Sequence, residues 1–580
     1  MDKQRFSTRG RLSAMLLLAG AAMKPWEALA QDATPEATSG STPVALGEVI
    51  TSQTREEFRA ELNEAMGYTE AATPGGTFID SATSDIQTVQ PFLAEEAASL
   101  GVVGLIYEGL TGSDPRTGQP APGGLSDSWE IAEDGRTYTF HLNQNVKWHD
   151  GTPFTAADVQ FSADALASPD SGSVYTGSFV DTVESWRVID DYTFEMVAKE
   201  PKYTFLYDIQ TLFVVPKHIW EGVPFTDWRT DPGATGTDPS RVIGTGPFKF
   251  GEWKQGESVT LVRNDDYYDK VPYLDSYVLR IWPDQTSVVN ALLNGELDVA
   301  ALEPSDIAAV EGTPGINVAH YPTRGFTYYE FNLDPEVTTK WQDERVRQAL
   351  LYALDRDSIV NDILLGYAEV AQGTQPVVSY AYAPDEITTK YTYDPEKAKS
   401  LLAEAGWTDS DGDGILDKDG EALSFEYLYP SGSPTSDQLA AYIQDAWSAI
   451  GVDATPRSLE FPALIEATTT NPTFDVAMYG FSWDASFIQD AMFGCNQYQV
   501  GFNDMKYCNP DLDEINDEAK RTFDEAARRD LLIEASNIVN DEQPIAVLHF
   551  SQAHAAYNDA LQNYTPSTWG VDLNQVWVQQ

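Results

Sequence analysis

The sequence predicts a mixed α/β protein of two or three domains. Its 580 residues exceed what one ordinary hydrophobic core accommodates. Apolar residues make up 42% of the chain and aromatic residues 12%, which is enough for large cores. Segments with the alternation typical of strands and segments with helical spacing are interspersed along the chain, which favours α/β architecture.

The first predicted element is a short helix. Phe58, Leu62 and Met66 recur at helical spacing, which predicts a helix over residues 55–66. Pro74-Gly75-Gly76 ends that segment, and the body of the protein begins with Thr77. Alternation of apolar and polar residues then predicts strands at 138–142, 194–197 and 259–262.

Helices are predicted between and after these strands. Apolar periodicity places them at 158–166, 288–293 and 346–354, and at 358–365 with Gly366 as a stop. Asp394-Pro395-Glu396 combines a capping acid with proline at the first helical position and predicts a further helix that runs to Gly406. Residues 423–428 alternate as a strand.

The N-terminus has the pattern of a secretory signal peptide, residues 1–30. Four basic residues precede an apolar run at 12–23, which is too short to span a membrane, and Ala28-Leu29-Ala30 offers small residues for cleavage. The alternative is a short buried helix. No cysteine follows the run, so we expect an exported protein, periplasmic or extracellular, without a lipid anchor on a mature N-terminal cysteine. The composition of residues 31–74 is typical of a flexible leader, which carries the short helix.

The charge excludes one class of partner. The chain has 36 Lys and Arg against 90 Asp and Glu, a formal charge of −54. Such a surface repels phosphate backbones, so we expect no nucleic-acid binding. No later apolar stretch is long enough to span a membrane, so the mature protein is not expected to be membrane-inserted.

The chain contains two cysteines, Cys495 and Cys508. In an oxidising compartment a pair this close predicts a local disulfide, worth about 3 kcal/mol in the chain-entropy model. Two free thiols are the alternative. A zinc site would need more ligands than two thiols, and the six histidines do not lie near them.

One loop has the spacing of a calcium site. Asp409, Asp411, Asp413 and Asp417 occupy positions 1, 3, 5 and 9 of an acidic loop, and the Ile415 carbonyl would be the seventh-position ligand. Oxygen ligands suit calcium better than zinc. The bidentate glutamate expected at position 12 is missing, so a solvated acidic turn is the alternative. We predict structural calcium and no cofactor for function.

Catalytic motifs are not evident. We find no nucleophile elbow, no zinc-protease helix and no phosphate-binding loop. His549 and His554 are five positions apart and fall on different helical faces. We therefore predict that the protein is not an enzyme, with an exported hydrolase using a carboxylate pair as an alternative.

Several stretches resemble the extracellular solute-binding proteins of the oligopeptide/dipeptide family, which are receptors of ABC importers. The most specific is VKWHDGTPFTAADV at 146–159. The resemblance covers roughly residues 75–550, and its other motifs occur in the same order: YEGL at 107–110, SWE at 128–130, EDG at 133–135, YTF at 138–140, GTGPF at 244–248, RN at 263–264, YY at 267–268, DERVRQAL at 343–350 and YALDR at 352–356.

The resemblance implies a periplasmic-binding-protein fold of two α/β lobes, joined by a hinge, with an extra subdomain inserted in lobe one. The lobes would close over ligand. The crossing strands would lie at 328–333 and 546–550. The implied division is lobe one at 75–106, 241–327 and 547–580, the inserted subdomain at 107–240, and lobe two at 328–546.

The resemblance also implies a ligand site. Peptide-binding members hold the ligand's α-ammonium with an aspartate after a Gly-Trp-type stretch, and Asp484 stands at the matching place. The family's usual Asp-Pro after that aspartate is missing, and alternative ligands are an oligosaccharide, an opine or a nickel chelate. Partners would be a peptide-like ligand and ABC permease subunits, with the receptor a monomer. The predicted ligand-binding residues are Asp484, Trp483, Phe481, Tyr479, Glu96, Tyr328 and Asn332.

Overall fold

The computed structural model of the protein describes residues 49–71, 73–498 and 501–579. The predicted signal peptide lies outside the described residues, as do residues 31–48 and 72 of the predicted leader. In the described part of the chain, none of the helices combines the length and the apolar character needed to cross a membrane.

The strands are distributed along the whole described chain. They are β1 Ile50–Thr51, β2 Thr77–Ala82, β3 Gly112–Ser113, β4 Pro120–Ala121, β5 Ser126–Ile131, β6 Thr137–Leu142, β7 Val183–Asp190, β8 Thr193–Ala198, β9 Phe248–Lys254, β10 Ser258–Arg263, β11 Ser276–Ile281, β12 Val299–Ala301, β13 Ile316–Phe331, β14 Ala368–Val370, β15 Asp417–Lys418, β16 Glu421–Ala422, β17 Ser424–Pro430, β18 Asp453–Leu459, β19 Val476–Ser482, β20 Ile545–Asn558, β21 Leu561–Gln562 and β22 Trp577–Val578.

Helices alternate with these strands. They are α1 Arg55–Met66, α2 Ala97–Ile106, α3 Ala156–Ala167, α4 Thr176–Thr182, α5 Phe205–Asp208, α6 Lys217–Trp220, α7 Gln285–Leu293, α8 Pro304–Val310, α9 Glu344–Tyr352, α10 Arg356–Ser358, α11 Pro395–Glu404, α12 Pro434–Ser448, α13 Phe461–Ile465, α14 Asp490–Phe493, α15 Pro510–Arg521 and α16 Glu525–Glu542.

Most predicted elements are confirmed, with ends shifted by a few residues. Helix α1 has the predicted ends because the Thr54 side chain caps it in a capping box and Gly67, with φ +62°, ends it. The helix predicted at 358–365 is wrong in form: α10 passes into a π-helical turn at Ile359–Ile363. Leu365 and Gly366 then adopt positive φ and stop it.

Three larger sheets organise the described residues. A five-stranded antiparallel sheet has the order β1-β5-β6-β8-β7, and a four-stranded sheet has the order β2-β11-β10-β9, with β2 parallel to β11. The third sheet has the order β12-β20-β13-β19-β17-β18, with β14 also paired to β20. Its β13 buries Tyr328 in one hydrophobic core and Tyr329 in another, so both faces of the sheet are covered.

The two longest strands, β13 and β20, are the predicted crossing strands. They are longer than predicted, because Ile316–Pro322 of β13 already pairs with 552–558 of β20. The register then breaks: Pro322 pairs with Gln552 but Phe326 pairs with Phe550. Residues 323–325 therefore form a bulge, and the register shifts again between Thr327, which pairs with His549, and Tyr328, which pairs with Val547.

Candidate functional site

The predicted ligand segment 479–484 forms the end of β19 and the turn after it. Tyr479, Phe481 and Trp483 all point into the aromatic core of the third sheet. Trp483 is 2% exposed, and its indole N–H donates to the Thr374 carbonyl oxygen at 2.9 Å. The structure thus places these three side chains in packing contacts, and their contact with ligand stays a prediction.

Tyr328, also predicted to bind ligand, belongs to the same core. Its ring meets the ring of Tyr479 edge-on, with the ring centroids 5.2 Å apart. The Tyr479 hydroxyl donates to the Glu330 carboxyl group at 2.6 Å. Glu330 is fully buried, so burial raises its pKa well above the usual range, and the charge of Asp504 raises it further. Burial beneath the aromatic layer therefore favours the neutral form of Glu330 in the folded protein.

Asp484 differs from the residues before it, because it is exposed. One of its carboxylate oxygens accepts hydrogen bonds from the Ser486 backbone N–H at 2.8 Å and from the Ser486 hydroxyl at 2.6 Å. These bonds fix the direction of the carboxylate. No ion pair occupies Asp484 within the described residues, so it is available to a cation from outside.

The surroundings of Asp484 include a contact between the predicted inserted subdomain and predicted lobe two. The Tyr203 backbone N–H donates to the Lys520 carbonyl oxygen at 2.6 Å. The Arg528 guanidinium carbon lies 3.4 Å from the centroid of the Tyr203 ring, a cation–π contact. We call this pair the Tyr203–Arg528 contact.

A chain of hydrogen bonds joins the Tyr203–Arg528 contact to the turn that carries Asp484. Arg528 Nε donates to the Tyr380 hydroxyl at 2.8 Å, and that hydroxyl donates to the Ser486 carbonyl oxygen at 3.2 Å. The Asp484 charge also reaches across the contact. Burial raises the pKa of Asp208 in the inserted segment, and the Asp484 carboxylate adds to that effect. The contact of Tyr203 with Arg528 and the turn that carries the candidate ligand residue are therefore joined by hydrogen bonds.

Two other predicted ligand residues lie elsewhere. Glu96 caps helix α2: its carboxylate accepts hydrogen bonds from the backbone N–H groups of Ser99 at 3.2 Å and Gln87 at 3.1 Å. Asn332 is buried, and its side-chain oxygen accepts the Asp334 N–H at 3.0 Å. Neither forms a hydrogen bond or ion pair with the Asp484 turn among the residues described, and a ligand role for either stays a prediction.

The acidic loop brings part of the predicted calcium set together. Asp409, Asp411 and Asp413 are exposed, and one carboxylate oxygen from each lies within 4.8 Å of the others. Asp417 is turned away, because its two oxygens accept hydrogen bonds from the Ser410 N–H at 2.9 Å and the Ser410 hydroxyl at 2.7 Å. The three remaining carboxylates can offer oxygen ligands to a hard cation.

The predicted disulfide between Cys495 and Cys508 is confirmed. The two sulfurs are bonded, and the Cα atoms are 4.4 Å apart. The Cys495 backbone N–H donates to the Asp513 carboxylate at 3.0 Å. The bridge thus ties the segment after β19 to the start of helix α15.

Residues 120–501 match the model of the bacterial extracellular solute-binding proteins, family 5, middle region. The chain belongs to this family. Family 5 proteins are solute receptors, and the predicted family resemblance is confirmed.

Curated relatives match this chain over most of its length. The oligopeptide-binding protein AppA of Bacillus subtilis (strain 168) is 29% identical over 496 residues, which cover 84% of this chain and 89% of the relative. The dipeptide-binding protein of Escherichia coli (strain K12) is 28% identical over 472 residues, 77% of this chain and 84% of the relative. Both similarities cover more than three quarters of this chain.

Solved structures confirm the predicted two-lobed α/β fold. AppA from B. subtilis in complex with a nonapeptide has a TM-score of 0.71 and 28% identity, covering 88% of this family 5 chain and 100% of that chain. NikZ from Campylobacter jejuni in complex with Ni(L-His) has a TM-score of 0.70 and 27% identity, covering 86% and 99%. These two neighbours are complexes with different ligands, so the fold alone does not identify a ligand.

The sequence did not predict the Tyr203–Arg528 contact or the part that Tyr380 plays beside it. Their residues come from distant segments: Tyr380 and Arg528 are 148 positions apart. An arginine in a helix with charged neighbours is typical of a solvated face. In the structure Arg528 is 2% exposed and contacts both Tyr203 and Tyr380.

Proposed function

We propose that this protein is an extracytoplasmic receptor of an ABC importer, and that it captures a peptide-like ligand between its two lobes and delivers it to a membrane permease. The observation that carries the proposal is Asp484: an exposed carboxylate, fixed by Ser486 and free of ion pairs among the described residues, beside a contact between the lobes. The relatives named as oligopeptide- and dipeptide-binding support a peptide ligand.

In this proposal Asp484 binds the ligand's ammonium group. A carboxylate whose orientation is already fixed binds a cation at a lower entropic cost than a freely rotating one. Closing the lobes removes water from the pair and strengthens it. The permease would then recognise the closed form. The protein binds and releases its ligand without chemical change, so it acts as a receptor rather than an enzyme.

The proposed domain division follows the sheets. The five-stranded sheet falls in the proposed subdomain, 107–240, apart from β1, which comes from residues 50–51. The four-stranded sheet falls in proposed lobe one, and β17, β18 and β19 fall in proposed lobe two. Strands β13 and β20 run across the proposed boundaries at 327/328 and 546/547, as crossing strands should. Export to the periplasm or the exterior, by the proposed signal peptide, completes the assignment.

Calorimetric titration with a panel of di- and tripeptides tests the function. We expect Asp484→Asn to weaken peptide binding by about 2–5 kcal/mol, because a buried ammonium loses its partner. Asp445→Asn, a matched change at an exposed position of helix α12 in the same lobe, should leave the affinity unchanged. If no peptide binds the wild-type protein, or if Asp484→Asn binds as tightly as wild type, the proposal is wrong.

A neutral sugar would give a different result. Asp484→Asn would then cost only one hydrogen bond, about 1 kcal/mol. Trp483 packs in the core and is 2% exposed, so replacing it would not isolate a stacking contact with a sugar. The size of the Asp484→Asn effect therefore separates a peptide from an oligosaccharide.

We also propose that the acidic loop binds structural calcium. Asp409, Asp411 and Asp413 would supply carboxylate oxygens, and the Ile415 carbonyl would supply another, as in the spacing of known calcium loops. Asp417 would join through water or after releasing Ser410. The proximity of the three carboxylates supports this assignment.

A further inference from the structure

Two histidines face each other across the crossing strands, in a part of the chain that the proposed function does not use. His320 of β13 pairs directly with His554 of β20 in the antiparallel register. Their Nδ1 atoms lie 2.8 Å apart, and their ring planes are inclined at 63°. Side chains directly opposite each other on neighbouring strands are close enough to act on one group. The strand register therefore brings two imidazole nitrogens together.

The two rings lie at the edge of a small apolar core that contains Tyr367. His554 is 2% exposed, whereas His320 is exposed, so the pair is open to solvent on one side. The Tyr367 ring, which comes from proposed lobe two, stacks on His320 with the ring centroids 4.9 Å apart and lies 4.6 Å from His554. Tyr367 thus restricts the rotation of both imidazoles and keeps their nitrogens close to each other.

Packing alone does not account for this pair. A hydrogen bond between two neutral imidazoles uses one nitrogen of each ring. The other ring nitrogen of His554, Nε2, is buried and has no hydrogen-bond partner among the described residues. A buried polar atom that has lost its water without gaining a partner destabilises the fold. A use for the two facing nitrogens would explain why this position is occupied by histidine.

The charges around the pair suit a cation. Burial and the charge of His320 lower the pKa of His554 to about 4, so this ring is neutral near pH 7 and keeps a lone pair. Burial also lowers the pKa of His320, and the carboxylate of Glu311, in the loop after α8, opposes that effect. A negative charge therefore acts on the exposed ring. The formal charge of −54 on the whole chain also attracts cations.

The separation of the two nitrogens indicates which cation fits. Imidazole nitrogens bind a metal ion at about 2.0–2.1 Å. At that distance, nitrogens separated by 2.8 Å subtend an angle of about 86° at the ion. This angle matches neighbouring positions of a square-planar or octahedral ion, whereas a tetrahedral ion needs a separation of about 3.3 Å. Square-planar and tetragonal sites of nitrogen and oxygen ligands are typical of Cu²⁺ and Ni²⁺.

We propose that His320 and His554 form a binding site for a divalent transition-metal ion, with Cu²⁺ bound most tightly. The ion takes the place of the proton that the two rings share, and water completes its coordination on the exposed side. Within the described residues, neither histidine forms a hydrogen bond or ion pair with the turn that carries Asp484. The metal site is therefore separate from the proposed ligand site and does not depend on the identity of that ligand.

Titration of the metal-free protein with Cu²⁺ tests the site. Excess calcium is present throughout, because it saturates exposed carboxylates such as those of the acidic loop. The first equivalent of Cu²⁺ should bind more tightly than later ones and raise the Tm. The electron paramagnetic resonance spectrum at one equivalent should show splitting from two nitrogens. Ni²⁺ should bind more weakly than Cu²⁺ but more tightly than Zn²⁺, because the angle between the ligands is too small for a tetrahedral ion.

Variants at exposed or half-buried histidines control the result. His320→Asn removes one of the two nitrogens, so it should weaken binding of the first equivalent about tenfold or more and abolish the two-nitrogen spectrum. His141→Asn is the matched control, because His141 is a half-buried histidine of β6 in another sheet, and it should bind copper as wild type does. Circular dichroism and the Tm in chelator check that both variants fold.

Each outcome decides the inference. It is wrong if the wild-type spectrum shows fewer than two coordinated nitrogens, and this measurement stands even if His320→Asn fails to fold. It is also wrong if His320→Asn and His141→Asn bind copper equally, because the copper would then be bound adventitiously elsewhere. Either result leaves the proposed receptor function intact, since the peptide titrations are carried out without transition metals.

Discussion

Replacing Tyr203 with leucine should weaken ligand binding without touching the ligand residues. Arg528 is 2% exposed, lies 3.4 Å from the Tyr203 ring centroid and has no carboxylate partner among the described residues. A desolvated cation–π contact is worth about 2 kcal/mol or more. In the proposed domain division the contact joins the inserted subdomain to lobe two, so its loss should disfavour the closed form by about 2 kcal/mol. Since ~1.4 kcal/mol is tenfold, the Kd of a ligand that requires closure should rise about 30-fold.

Calorimetry with the best-binding peptide measures this effect, and small-angle scattering of ligand-free and ligand-bound protein reports closure. Tyr203→Phe is the control: it keeps the ring and loses only the hydroxyl contact with Tyr207, at 2.8 Å. We expect a change of less than about 1 kcal/mol for that variant. The reasoning is refuted if Tyr203→Leu binds as tightly as wild type, or if the leucine and phenylalanine variants are equally weakened.

Three other predictions concern stability and covalent state. Intact mass after denaturing alkylation should show no additions to Cys495 and Cys508 without reduction and two after it; two additions before reduction would contradict the bridge. A calcium chelator should lower the Tm of wild type, and Asp411→Ala or Asp413→Ala should make the Tm insensitive to chelator; identical wild-type melting curves in chelator and in excess calcium would argue against the site. Glu330→Gln should gain stability relative to wild type as pH rises above about 4.5, by up to about 1.4 kcal/mol per pH unit. The sign follows because the pKa of Glu330 is raised in the folded state, so its contribution is lost as pH rises; urea unfolding at pH 5 and pH 7 would show no divergence if Glu330 were ionised.

Local signals made part of the fold predictable. Helix α1 has the predicted ends because local groups determine its termini: the Thr54 side chain forms a capping box at one end, and Gly67 adopts a positive φ at the other. The family resemblance predicts this strand only at residues 328–333. Residues 316–327 contain Pro322, Arg324 and Gly325, which weaken the local signal for a strand. Pairing with β20 creates that half of the strand, and pairing between distant segments overrides local propensity.

The candidate site, like the fold, could be predicted only in part from the sequence. The resemblance to a known family pointed to Asp484, and the structure leaves that carboxylate exposed and unpaired. The same resemblance could not separate Trp483 from the core, because an aromatic residue near a ligand and one inside a core look alike in sequence. Tyr203 and Arg528 meet only in three dimensions. No spacing along the chain could have paired them.

The bulge at residues 323–325 has a mechanical consequence. The pairing of β13 with β20 is irregular at this bulge and again between Thr327 and Tyr328, so the bending that lets one proposed lobe rotate against the other should concentrate in residues 323–328. Arg324 is one of them, and its carbonyl oxygen accepts the Trp483 backbone N–H at 3.3 Å. A ligand bound at Asp484, the next residue, would therefore act on the pivot through one backbone hydrogen bond, without a relay of side chains.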